Sequence, residues 1–179
     1  MKTKFADLLQ TENGIVYPNA KLAVGGGYKL FKNGELLEVG HNLVVNEGLT
    51  DLLDVYLKAG TQTEEWYVAP WSNNVNPAST WTAANFTATA GEFTAYDETA
   101  RPVWTPGDIA DQTVSSVLDD AEFTINSAGT IYGAALLGAS AKSATTGKLF
   151  ASFRFTNPRD FESGDVMHIA YFVQAQSTS

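Results

Sequence analysis

Lys148-Leu-Phe-Ala-Ser-Phe-Arg-Phe155 and Val166-Met-His-Ile-Ala-Tyr-Phe-Val173 set apolar side chains at alternate positions. A period of two is the signature of a strand with one face in a core and one toward water. Glu122-Phe-Thr-Ile-Asn126 and Thr130-Ile-Tyr-Gly-Ala-Ala-Leu137 read the same way. Turn-forming residues separate the four runs at Ser127-Ala-Gly129, Thr145-Thr-Gly147, Asn157-Pro158 and Ser163-Gly-Asp165. The last third of the chain is therefore a meander of antiparallel strands.

Upstream, Tyr28–Lys32, Asn33-Gly34 and Glu35–Val39 form a hairpin, because Asn-Gly accepts the positive φ of a type I′ turn. One helix follows, with Asn46 as its cap, Glu47, Asp51 and Asp54 early, Lys58 in the last turn and Gly60 at its end. Leu49, Leu52, Leu53, Tyr56 and Leu57 fall on one stripe, which is expected to lie on a sheet and make the helix a lid over one end of a sandwich. Glu65-Trp-Tyr-Val-Ala69 reads as a strand broken by Pro70, and residues 72–80 as a long exposed loop. Phe93–Tyr96 reads as a short strand before the irregular Arg101–Gly107. Residues 1–27 lack an apolar period and end in Gly25-Gly-Gly27, which predicts an extended N-terminal arm, a flexible joint and a body over 28–179. The expected fold is mainly β: an antiparallel, jelly-roll-like β-sandwich with one short α-helix.

A chain of 179 residues with 44% hydrophobic and 17% charged residues can bury a substantial core. No cysteine is present, so disulfides, thiolate chemistry and sulfur metal sites are excluded. A net charge of −9 argues against nucleic-acid binding, which needs Lys and Arg on phosphates. No run of about 18 apolar residues suggests a membrane span, and Asp7, Gln10 and Glu12 interrupt any secretory core near Met1. Residues 1–32 hold five Lys against Asp7 and Glu12, whereas residues 33–141 hold fifteen acids against Lys58 and Arg101. A basic start before an acidic body makes Lys2, Lys4 and Lys21 candidate contacts to an acidic surface, with a solvated arm as the plain alternative.

Little points to catalysis. His41 and His168 stand alone and supply neither a triad nor a zinc set, so no catalytic, cofactor or metal residue is assigned. Asp119, Asp120 and Glu122, and Asp97 with Glu98, are paired carboxylates of the kind glycosidases use, but surface acids at a strand start look the same. Trp71 and Trp81 flank the Asn/Pro loop and are candidate interface residues, for a glycan or for a subunit contact. Arg101 is expected to pair with Asp97 or Glu98, and Trp104 to stiffen a crossing between sheets.

Asn42-Leu-Val-Val-Asn-Glu-Gly-Leu-Thr-Asp-Leu-Leu-Asp54, Trp66-Tyr-Val68, Ala95–Trp104 with Pro106-Gly107, and Phe123–Asn126 leading into Ile131-Tyr-Gly133 resemble virion structural proteins of tailed bacteriophages. The turns at Thr146–Phe150 and Gly164-Asp165 extend the likeness, which spans roughly residues 40–175. Its recognisable elements are N-x-V-x-N-x-G before a Leu-rich helix and R-P-x-W; neither is a catalytic signature. The resemblance implies a capsid decoration or cement protein on the virion exterior, made in the bacterial cytoplasm. It also implies the major capsid protein as partner, self-association as a homotrimer, and no cofactor, nucleic acid or membrane. A tail or appendage component, such as a glycan-binding host-recognition module, is the alternative.

Overall fold

The computed structural model describes residues 21–116 and 121–178. They form two antiparallel sheets packed face to face, a β-sandwich. The first sheet has the order β2(Glu35–His41)-β1(Lys21–Lys32)-β10(Val166–Thr178)-β6(Thr113–Ser115), and β7(Glu122–Thr124) also pairs with β10. The second has the order β3(Leu43–Val44)-β9(Leu149–Phe161)-β8(Gly129–Leu137)-β4(Trp66–Trp71)-β5(Val103–Trp104). The hairpin forms as its Asn-Gly pair requires, with Asn33 at φ 51° and Gly34 at φ 81°.

Gly25-Gly-Gly27 is not a joint. All three glycines lie inside β1, paired with Gln174, Val173 and Phe172 of β10. A Cβ on Gly26 would come within 2.0 Å of the Phe172 carbonyl oxygen, and one on Gly27 would meet the Phe172 ring at 2.7 Å. Glycine serves close approach here, not flexibility. The expected arm thus gives up residues 21–27 to the first sheet, and residues 1–20 lie outside the described residues.

The main core fills the space between the sheets with Tyr28, Leu30, Phe123, Phe153, Phe155, Ile169 and Tyr171. The Tyr28 ring stacks on Phe153 at 3.9 Å between centroids. His168 faces away from the buried Met167 and Ile169, as strand alternation requires. Trp104 of β5 joins the sheets, donating its indole N–H to the Tyr171 carbonyl of β10 at 3.2 Å.

The second sheet is buried on both faces. Ala134 and Leu136 of β8 face the main core, while Ala135 and Leu137 face a smaller one with Ala69, Trp71, Trp81, Phe86 and Leu149. The unbroken apolar run of β8 fits this two-sided burial better than a half-buried strand. A second helix that the sequence reading missed roofs the smaller core: α2(Ala83–Phe86), continued by a π-helical turn over Thr87–Gly91. Thr82 and Asn85 close a capping box at its start. Two expected breaks are absent as well. The strand β4 runs through Pro70, whose carbonyl accepts from Phe93 N–H. The missing N–H would have pointed to that same side, so the ladder to β8 loses nothing. Likewise β9 continues past Asn157-Pro158 to Phe161, and Phe93–Tyr96 has a single isolated bridge, Tyr96 to Ile125, instead of a strand.

Candidate docking surface

The first helix, α1(Asn46–Lys58), begins at its expected cap, one residue early: Val45 occupies the N-cap and Asn46 is the first helical residue. Val45 is fully buried in the smaller core, so packing outranks side-chain capping at this end. Ala59, at φ 55°, ends the helix, and Gly60 N–H donates to the Asp54 carbonyl.

The helix docks through Gly48. A Cβ there would meet the Phe150 backbone, so the missing side chain lets α1 lie directly on the start of β9. Glu47 fixes this placement, its Oε2 accepting from Leu149 N–H and Ala83 N–H, both at 2.8 Å. Docking by Gly48, with Asp51 and Val55 partly covered beside it, turns the expected apolar stripe outward. Leu49 and Leu52 remain exposed, Leu53 is 52% exposed, Leu57 70% and Tyr56 85%. The expectation that this stripe is core is wrong.

Beside the exposed face lies a cavity of ≈ 260 Å³, between α1 and the open end of the sandwich. Leu52, Val55 and Tyr56 form its helix side, with Trp66, Trp104 and Phe150 among the residues on its sheet side. Asp51, Gln62 and Thr63 are polar members of its wall. Helix face and cavity make one continuous apolar surface.

The acids that invited a catalytic reading serve the scaffold. Glu98 accepts from Thr124 N–H through both carboxylate oxygens, at 3.0 and 3.2 Å, and Asp97 accepts from the Asn126 side chain. Arg101 pairs with neither of them. It grips Glu92 at 2.7 and 2.8 Å with both side chains fully buried, and donates to the carbonyls of Ala139 and Ala144. Glu92 lies further from Arg101 in sequence than Asp97 or Glu98 do, and the fold brings it alongside. Glu122 lies 3.5 Å from His168, and Asp119 and Asp120 lie outside the described residues. Among the described residues no group of three or more His, Cys, Asp or Glu is arranged to hold a metal ion, and no helix is long and apolar enough to cross a membrane.

Trp71 and Trp81 are core residues rather than contacts: Trp71 is fully buried, Trp81 is 5% exposed, and their rings meet edge to face at 5.9 Å. Neither presents an indole face to a sugar. Lys2 and Lys4 lie outside the described residues, and the backbone of Lys21 opens β1 opposite Thr178. The exposed α1 stripe was legible as apolar but not as uncovered, since Gly48 was not read as its docking point. The chain matches no protein-family model and no curated protein.

Proposed function

We propose that this chain is a non-enzymatic structural protein of a tailed-phage virion, binding the assembled capsid shell as a cement or decoration protein and associating with itself. The observation that carries this reading is the continuous apolar surface of α1 and its adjoining cavity, on an otherwise well-packed sandwich. A surface of that kind marks a contact with protein, because isolated soluble domains rarely leave one uncovered.

The residues that resemble phage virion proteins do scaffold work in this fold, which supports the reading. In N-x-V-x-N-x-G, Asn42 bonds the Tyr171 hydroxyl, Val44 pairs in β3 and Gly48 seats α1 on β9. In R-P-x-W, Arg101 holds Glu92 and Trp104 bridges the sheets. Burial of Trp71 and Trp81 removes the aromatic platform on which the glycan-binding alternative rested.

Sedimentation of the purified full-length chain with shells of the phage that encodes it tests the proposal. Saturable co-sedimentation, with density for the chain on the shell exterior in electron-microscopy maps, is expected. Density on the tail alone, or absence from purified particles, would overturn it.

A further inference from the structure

We infer that the exposed face of α1 is where copies of this chain meet, with Tyr56 of one copy entering the cavity beside α1 of the other. The inference rests on the reading of the chain as a self-associating shell protein and gives that association a surface.

The patch contains both halves of such a contact. Tyr56 and Leu57 project from the helix, 85% and 70% exposed. The neighbouring cavity of ≈ 260 Å³ is walled by Trp66, Trp104, Leu136 and Phe150, with Leu52 and Tyr56 of the same copy on its helix side. That volume is just below the range of pockets that hold drug-sized ligands, roughly 300–1,000 Å³, and suits a single inserted side chain. A knob and a hole on one surface suit a twofold contact between identical copies, which is self-complementary and joins copies in pairs rather than closing the expected trimer. An aromatic ring in an apolar pocket is also the usual energetic centre of an interface.

Charge favours the same occupant. Within α1, Lys58 pairs with Asp54 one turn earlier at 2.9 Å, and Asp51 lies 4.0 Å from Lys148, just before β9. Two such helices crossing antiparallel let each Lys58 exchange its own Asp54 for that of the other copy, and they oppose their dipoles. A parallel arrangement would set acid against acid, so charge selects the orientation.

The test uses the purified full-length chain without shells, in sedimentation velocity over a concentration series. Self-association is expected, and Tyr56→Ser and Leu57→Asp should each weaken it at least about tenfold. Both side chains are exposed, so the melting temperature of each variant should stay near that of the parent; a thermal melt of the same samples checks this. Nitration of Tyr56, read by peptide mapping, should fall as the chain associates. A chain that stays monomeric overturns the inference: a shielded Tyr56 would then assign the face to another part of the same chain, and a reactive one to a different protein. Association unchanged in both variants overturns it too. A chain that associates but never sediments with shells sinks the shell reading and leaves this contact standing, whereas a monomer that sediments with shells does the reverse.

Discussion

At Gly26 a single missing methyl group decides whether β1 and β10 can pair, since a Cβ would come within 2.0 Å of the Phe172 carbonyl oxygen. Gly25, one residue earlier, has open space where its Cβ would be. Gly26→Ala should therefore destabilise the chain by about 2–3 kcal/mol, in the range of core overpacking. Gly25→Ala should be neutral or slightly stabilising, because it restricts the unfolded chain. Paired urea unfolding curves check both; equal midpoints for the two variants would restore the flexible-joint reading. Arg101 makes a different kind of residue-level demand. Arg101→Met leaves Glu92 as a buried carboxylate without its cation, which should cost about 3–5 kcal/mol. A melting temperature close to the parent's would show that Glu92 finds water instead. Asp165 ties the β1–β2 turn to the β9–β10 turn. Its carboxylate accepts from Glu162 N–H at 2.7 Å, pairs with Lys32 at 2.7 Å and accepts from the Asn33 side chain at 2.8 Å. The backbone hydrogen bond first, then the Lys32 and Asn33 contacts, hold its pKa down at about 2. A folded-state pKa below the unfolded value means stability that is present above about pH 4 and lost as pH falls toward 2. Asp165→Asn should thus melt below the parent at pH 5, with the gap closing between pH 4 and 2. A gap constant over that range would remove Asp165 from the acid response.

Among the elements, α1 departs furthest from its sequence pattern. A helix whose Leu stripe faced a sheet would collapse on introduction of a charge, yet Leu53 stands half in water. Leu53→Asp should change stability by no more than about 0.5 kcal/mol, the range of ordinary surface substitutions. Calorimetry of the variant checks this, and a large loss would put the stripe back in the core. Gly48→Ala, by contrast, should push α1 off β9 and lower the melting temperature clearly, because its Cβ meets backbone that cannot move aside. The two strands that run through proline, β4 at Pro70 and β9 at Pro158, show the same lesson in sheets. Proline costs a strand only the hydrogen bond its N–H would have made, and at Pro70 that side is turned away from the ladder to β8.

On the scale of the whole molecule, the sandwich spends its buried charge on holding loops to sheets. Glu92 with Arg101 fastens residues 139–144, and Lys142 adds to the same clamp by donating to the carbonyls of Thr94 and Tyr96 while lying 3.7 Å from the Tyr96 ring centroid. Burial pushes the Lys142 ammonium below the usual lysine range. The smaller core beneath α2 makes the second sheet a two-sided layer, which explains why a protein without disulfides can carry a long loop over residues 72–80. Among the described residues α1 gathers Leu53, Tyr56 and Leu57 on one exposed face, while Leu22, Leu36, Val39 and Ile109 are exposed elsewhere.

Local chemistry, carried by neighbours in sequence, was readable without the fold. Alternation placed β9 and β10, an apolar run placed β8, the Asn33-Gly34 pair placed the hairpin, and the run of Leu, Asp and Lys placed α1 to within a residue at its start. The second helix left a weak local signal in Thr82 and Asn85, too short beside a stretch rich in Ala and Thr to stand out. The partners of Arg101, the burial of Trp71 and Trp81, the use of Gly26 and Gly48 for close approach, and the outward turn of the Leu stripe came only with tertiary structure. Each depends on which distant backbone arrives alongside, and a glycine, an arginine or a leucine carries no mark of that in its own neighbourhood. The sequence determined that α1 would have an apolar face; the seat of Gly48 on Phe150 decided that this face would look outward.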